Sequence, residues 1–115
     1  MIADDHVGIR LLYKELLSVS GHDIIAEFNN GFDTLASYYQ IAPDLLINDN
    51  NMEKMNGIDV VRQILYKHHQ ANIIICTANP DAVMTEAIHL GVREVLSTPF
   101  HMENFIESVS IALNN

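Results

Sequence analysis

Short apolar runs alternate along this chain with longer stretches of helical period, and few folds accept that order of elements. Two of the runs, Leu45–Ile47 and Ile73–Cys76, are apolar at every position, which is typical of strands covered by helices on both faces. The predicted strands are Met1–Ala3, Asp23–Phe28, Leu45–Asn48, Ile73–Cys76 and Glu94–Ser97.

A helix is predicted after each strand, because apolar residues recur there every three or four positions. Gly21 and Gly91 are predicted to end the first and fourth helices, and Pro43 the second. Five β-α units joined by right-handed crossovers give an α/β fold with a doubly wound parallel sheet. The predicted buried stripes are, in order, Ile9, Leu12, Leu16 and Val19; Phe32, Leu35, Ala36 and Tyr39; Val60, Val61, Ile64 and Leu65; Val83, Ala87 and Leu90; and Phe105, Val109 and Ala112.

Length and composition exclude several classes of protein. The 115 residues suffice for one domain, 1–115, and an apolar share of 49% argues against disorder. No apolar run is long enough to span a bilayer, and we expect no secretory signal because no basic n-region and cleavage site opens the sequence. The net charge of -9 argues against nucleic-acid binding by this domain. The lone Cys76 permits no internal disulfide, so we expect a reducing, cytoplasmic setting.

The predicted first strand is short, since only three residues precede Asp4, where a buried central strand has about five or six. We interpret this as either a trimmed start or a frayed strand. The chain ends at Asn115, just after the predicted fifth helix, so any output domain is expected outside it.

Polar residues follow three of the predicted central strands, where the functional sites of doubly wound sheets lie. Asp4 and Asp5 follow the first strand, Asp49 the third and Thr77 the fourth. For any one residue the simpler interpretation is that loops are polar, but three carboxylates so close would repel one another. Oxygen ligands of this kind favour Mg²⁺, and an aspartate oxygen can itself accept a phosphoryl group. A Thr77 hydroxyl could bond such a group, beside the small Ala78.

These motifs resemble the receiver domain of bacterial two-component response regulators over essentially the whole chain. The segment 43–57, around Asp49, is similar to that family's phosphorylation-site loop, and Pro99 matches the proline after its fifth strand. The segment 3–6 is similar to the opening of regulators with a LuxR-type helix-turn-helix output. The resemblance implies the flavodoxin-like receiver fold, with strand order 2-1-3-4-5, and often a cis bond before Pro99.

The resemblance also implies roles for single residues. Asp49 would accept a phosphoryl group from a sensor histidine kinase or a phosphotransfer protein, and Thr77 would bond that group. Mg²⁺ would be held by Asp5, Asp49 and the backbone carbonyl of Asn51, with Asp4 assisting through water. The output would be a changed surface on the fourth helix, fifth strand and fifth helix, a face that could also form a homodimer.

The sequence departs from the family's pattern at three positions. Thr98 stands at the usual lysine, so a donor remains but the charge is lost; a charge-assisted hydrogen bond is worth roughly 1.5–3 kcal/mol. Val95 stands at the switch aromatic and is either plain strand packing or a sign of weak coupling. Glu53 stands where a proline is common, and the neighbouring Lys54 is interpreted as a solvated lysine rather than a replacement cation.

Other polar residues carry weaker signals. The six histidines are scattered and are interpreted mostly as surface residues, with His6 the exception because it follows the acid pair. Cys76 is interpreted as an inert core thiol. Asn48 lies in a buried-looking strand and needs a hydrogen-bond partner that the sequence does not identify.

Three functions remain open from the sequence. The first is a phosphoacceptor receiver, not an enzyme beyond phosphorylating itself from a donor and dephosphorylating itself. The second is a pseudo-receiver that acts as a phosphate-independent interaction module, favoured by Thr98 and Val95. The third is a small Mg²⁺-dependent phosphatase or phosphotransferase using Asp49, disfavoured because the chain offers no cap to enclose a substrate.

Overall fold

The computed structural model describes residues 1–114 and confirms the predicted doubly wound architecture. The described elements form one parallel sheet of order β2-β1-β3-β4-β5, with a helix after each strand. The strands are β1 (Ile2–Ala3), β2 (Glu27–Phe28), β3 (Leu46–Asp49), β4 (Ile73–Thr77) and β5 (Glu94–Ser97). The helices are α1 (Val7–Val19), α2 (Gly31–Ile41), α3 (Gly57–Lys67), α4 (Pro80–Leu90) and α5 (Met102–Leu113).

Two hydrophobic cores cover the two faces of the sheet, as the alternation of side chains along a strand requires. Ile73 and Ile75 of β4 join the core beneath α2, α3 and α4, whereas Ile74 and Cys76 join the core beneath α1 and α5. The predicted stripes of α3, α4 and α5 all face these cores. Within residues 1–114, no helix combines the length and apolar character that a bilayer crossing needs.

The first strand is short but firmly held. Ile2 and Ala3 are completely buried and pair with β2 on one side and β3 on the other. The Met1 amino group donates to the Leu45 carbonyl at 2.9 Å, and burial lowers its pKa to about 6. The frayed-strand interpretation is therefore wrong, because packing on both faces and pairing on both edges compensate for the short length.

In two helices the buried face matches the predicted stripe only in part. In α1 the buried residues are Tyr13, Leu16 and Leu17, while Val19 is 79% exposed. Apolar residues surround much of α1, so helical period alone does not select the buried side. In α2 Gly31 packs so closely on the Met55 backbone that a Cβ atom there would meet the Met55 carbonyl. On this helix Phe32 is exposed and Thr34 and Tyr38 are buried, while the predicted Leu35 and Tyr39 pack against the core in part.

The second strand is shorter than predicted. Residues 23–26 of the expected strand precede the paired residues, although the Ala26 carbonyl still accepts from the Ile2 nitrogen at 3.1 Å, and Ile25 is exposed. As an edge strand, β2 pairs with β1 alone, and β1 has two residues to offer. The short ladder therefore limits β2 to Glu27–Phe28.

The junction between β3 and α3 identifies the partner of the buried Asn48. Its amide nitrogen donates to the Gly57 carbonyl at 3.1 Å, and the Gly57 nitrogen donates to the Asn50 carbonyl at 2.9 Å. The Asn50 side chain in turn accepts from the Ile58 nitrogen at 3.0 Å. These bonds leave no room for a side chain at position 57, where a Cβ atom would meet the Asp49 carbonyl and lie 2.7 Å from the Asn50 Cα atom.

We expect Gly57→Ala to lower the free energy of unfolding by about 2 kcal/mol or more, because the new methyl group would collide with backbone. Gly8→Ala is the matched control, since a Cβ atom there has open space and α1 gains an alanine. Urea denaturation of both variants checks the prediction, which equal stability of the two would contradict.

Candidate functional site

The carboxyl edge of β1 and β3 brings three acids and one imidazole together. Asp4 and Asp5 follow β1, and Asp49 ends the neighbouring β3. One potential ligand atom from each of these residues and from His6 lies within 4.8 Å of all the others. The three sequence-predicted metal carboxylates are therefore neighbours in space, and His6 adjoins them as its sequence position suggests.

Asp4 is the most tightly held member of this acidic cluster. It is 3% exposed, and its Oδ1 atom accepts from the His6 backbone nitrogen at 2.9 Å. The Tyr13 hydroxyl approaches its Oδ2 atom at 3.4 Å, and Arg10 Nη1 donates to its carbonyl at 2.6 Å. Position 4 is thus fixed from α1 as well as from the strand.

The His6 ring lies over the cluster from the solvent side. Its Nδ1 atom is 2.8 Å from Asp5 Oδ1 and 3.3 Å from Asp4 Oδ1, although the His6 side chain is 70% exposed. When protonated, this imidazole offsets part of the negative charge of the pair.

The Asp49 carboxyl group lies in an unfavourable environment for a charge. Burial is the main cause that raises its pKa to about 7, and the neighbouring Asp4 and Asp5 carboxylates add to the rise. The Asn51 backbone nitrogen donates to Asp49 Oδ1 at 3.3 Å and acts in the opposite direction, as does His6. A hard dication surrounded by these oxygens would relieve the repulsion, so the donor set fits Mg²⁺.

A cavity of about 390 Å³ opens beside Asp49 and contains most of the remaining predicted site residues. Its acidic floor is formed by Asp4 and Asp49, and Thr98 and Ala78 lie on the side of β4 and β5. We call it the Asp49 cavity; its other lining residues are His6, Ile9, Leu12, Tyr13, Asn51, Pro99 and Phe100.

Thr77 is placed differently from Thr98. It is 2% exposed, and its hydroxyl oxygen accepts a hydrogen bond from the Asn79 backbone nitrogen at 3.1 Å. The Thr98 nitrogen donates to the Thr77 carbonyl at 2.8 Å, so the two residues are joined through the backbone. The Thr98–Pro99 bond is cis, as the sequence suggested.

Of the residues that the structure describes, no lysine or arginine lines the Asp49 cavity. Lys54 is exposed and lines a separate polar cavity with Asp5 and Glu53. Arg10 and Lys14 both pair with Glu27 at the edge of the sheet. The interpretation of Lys54 as a solvated lysine agrees with this arrangement.

Sequence reasoning missed Arg10 and Tyr13, the two α1 residues that contact Asp4. Their spacing of three places them on one face of the helix, and both are polar or amphipathic within an apolar stretch. Nothing in the sequence shows that this face is turned toward Asp4. Cys76, by contrast, lies where it was predicted, as a buried thiol whose pKa burial raises to about 12.

The chain is similar in sequence and in fold to known proteins. The model of the response regulator receiver domain family matches residues 1–110. The chemotaxis protein CheY of Thermotoga maritima is 30% identical over 111 residues, covering 96% of this chain and 92% of that protein. The transcriptional regulatory protein YdfI of Bacillus subtilis is 31% identical, covering 98% of this chain and 54% of that protein.

A solved structure shows the same fold. The Borrelia burgdorferi complex of CheX, CheY, BeF3 and Mg²⁺ contains a chain that superimposes with a TM-score of 0.88 at 22% identity. The match covers 94% of this chain and 83% of that one.

Without divalent cations, we expect the free energy of unfolding to fall as the pH rises from about 4 to about 7. The folded chain keeps a proton on Asp49 up to its raised pKa of about 7, whereas the unfolded chain releases it near the ordinary value of 3.8. Asp49→Asn should therefore be more stable than the native chain near pH 8, by about 1 kcal/mol or more.

Urea denaturation across this range in the presence of a chelator measures the effect. Asp23→Asn, the same change at an exposed residue in the segment before β2, should keep the native pH profile. A native pH profile in Asp49→Asn would contradict the assignment of this pH dependence to Asp49.

Proposed function

Because this chain belongs to the response regulator receiver domain family, whose members are phosphoacceptor signalling domains, we propose that Asp49 accepts a phosphoryl group and thereby changes an output. The observation that carries this proposal is the position of Asp49. Its partly buried carboxyl group ends β3, adjoins Asp4 and Asp5, and forms the floor of the Asp49 cavity. The whole described chain serves as one receiver domain.

We propose that the donor is a phosphohistidine on a sensor kinase or a phosphotransfer protein. A carboxylate oxygen of Asp49 attacks phosphorus, and a new P–O bond forms as the donor's P–N bond breaks. The bond's electron pair leaves with the imidazole, which takes up a proton. Thr98 and the small Ala78 line the cavity that the phosphoryl oxygens would enter, and we propose that Thr77, at the carboxyl end of β4, bonds one of these oxygens.

The proposed metal ligands are the carboxylates of Asp5 and Asp49 and the backbone carbonyl of Asn51, with Asp4 assisting. Receiver domains bind Mg²⁺ at an acidic pocket, and this chain has such a pocket. The bound ion would offset the charge of the acids and of the phosphoryl oxygens. Asp4 is held by α1 and kept from swinging away, so it can anchor a metal-bound water.

A pseudo-receiver is the second candidate, and a specific observation favours it. The described residues place no lysine or arginine in the Asp49 cavity, and Val95 packs against the core with no ring to move. In this alternative, the surface of α4, β5 and α5 binds a partner or a second copy of the chain regardless of phosphate. The free, buried Cys76 suits a cytoplasmic location under either proposal.

Incubation with a small acyl phosphate and Mg²⁺ should add one phosphoryl group to the intact mass, and hydroxylamine should remove it. The reason is that Asp49 offers the partly buried nucleophile described above. Asp49→Asn should abolish the gain. Asp44→Asn, the same change at the exposed residue just before β3, should retain it.

Beryllofluoride with Mg²⁺ separates the two candidates. For a phosphoacceptor, we expect amide chemical shifts to change along α4, β5 and α5, or the molar mass measured by light scattering to change. A pseudo-receiver should bind the mimic without either response. Turnover of a small phosphate ester, abolished in Asp49→Asn, would instead revive the enzyme hypothesis.

A further inference from the structure

The Asp49 cavity joins an acidic surface to an apolar one. Its floor carries the carboxyl groups of Asp4 and Asp49, while its wall is built from Ile9, Leu12 and Phe100. Ile9 is 37% exposed and Leu12 is 40% exposed, so the apolar wall continues out to the protein surface. A ligand that suits both surfaces has an apolar stem and a cationic head.

The cations of the described chain nearest to this cavity are engaged elsewhere. Arg10 donates to the Asp4 carbonyl and pairs with Glu27, which Lys14 also contacts. Lys54 faces the polar cavity on the other side of Asp5. His6 lines the cavity but contacts Asp4 and Asp5 and carries a charge only when protonated. A permanent positive charge at Asp49 therefore has to come from outside the described residues.

We infer that the Asp49 cavity receives a lysine or arginine side chain of a partner protein, whose stem lies along Ile9, Leu12 and Phe100 and whose charged head reaches Asp49. This inference rests on the proposed function, because it supplies the charge that phosphoryl transfer requires. The partner would then act as a component of the site and not only as a phosphate donor.

The charge balance explains why a cation is needed. Three carboxylates outweigh one dication, and transfer replaces the single charge of Asp49 by about two negative charges on the phosphoryl group. A solvated potassium ion could reach the floor but would leave the apolar wall uncovered. A lysine or arginine side chain covers the wall and places its N–H donors on the phosphoryl oxygens.

The surroundings point to a protein rather than a free amine. Besides Ile9 and Leu12, α1 exposes Val7 and Leu11 on another of its sides, at 63% and 57%, so this helix presents four large apolar side chains to solvent. Exposed apolar side chains gathered on one element are typical of a protein interface. The net charge of -9 further favours a basic partner segment.

The test measures the fraction of chain phosphorylated by an acyl phosphate with Mg²⁺, at constant ionic strength, in the presence of model side chains. N-acetyl-lysine methylamide and N-acetyl-arginine methylamide supply the two candidate heads. N-acetyl-norleucine methylamide has the stem without the charge, tetramethylammonium has the charge without a donor, and spermidine represents a free polyamine. We expect the lysine or arginine probe to raise the phosphorylated fraction about threefold, and the other three to have no effect.

A lysine introduced at the cavity provides the second part of the test. Thr98→Lys should raise phosphorylation about tenfold without any probe and should no longer respond to the probes, because its ammonium occupies the cavity. Thr98→Met, similar in length and uncharged, should remain well below the level of Thr98→Lys, because it fills the same space without supplying a charge. Urea denaturation of both variants establishes that they fold.

The outcomes distinguish this inference from the proposed function. If phosphorylation occurs and neither the probes nor Thr98→Lys change it, the inference is overturned and the proposed function stands. A larger effect of spermidine than of either side-chain probe also overturns it, since a free polyamine would then be the cation. If no adduct forms at all, methyl NMR of the native chain decides. Shifts of Ile9 and Leu12 caused by the lysine or arginine probe, and not by the norleucine probe, support the inference, and their absence overturns it.

Discussion

The parallel pairing of β1 with β3 is the interaction on which the rest of the site depends. The register sets Ile2 against Ile47 and Ala3 against Asn48, so the residues that follow, Asp4 and Asp49, leave the sheet side by side. The buried residues of both strands fix this register, because a slip of one position would exchange core and site. The packing of the two strands therefore holds like charges together against their repulsion, and a bound cation would relieve that repulsion.

The sequence predicted most of the framework because its signals there are unambiguous. Ile73–Cys76 is apolar at every position, and α3 carries a single clean stripe, so strand and helix phase follow directly. The phase of α1 could not be read, because apolar residues such as Val7 and Leu11 lie on its solvent side as well as its core side. The phase of α2 was predicted in part, since Gly31 is buried against the Met55 backbone by a tertiary contact that periodicity does not reveal.

The candidate site likewise has residues that the sequence located and residues that it did not. The acids could be located because the carboxyl ends of neighbouring parallel strands must meet, whatever the side chains around them. The groups that hold Asp4, namely Arg10 and Tyr13, could not be located, since their contacts depend on how α1 is rotated on the sheet. The ion pairs of Arg10 and Lys14 with Glu27 could not be predicted from the sequence either. These pairs hold both cations at the edge of the sheet and away from Asp49.

The placement of Tyr13 also gives the molecule an optical reporter. The chain contains four tyrosines and no tryptophan, so its ultraviolet emission is tyrosine emission alone. The Tyr13 hydroxyl lies 3.4 Å from an Asp4 oxygen, and its ring stacks on Phe105 with centroids 5.4 Å apart. A carboxylate in contact with a tyrosine hydroxyl quenches its fluorescence, and a change in the charge around Asp4 alters that quenching. Binding of a cation at the acidic cluster can therefore be followed by the intrinsic tyrosine fluorescence of the unlabelled protein.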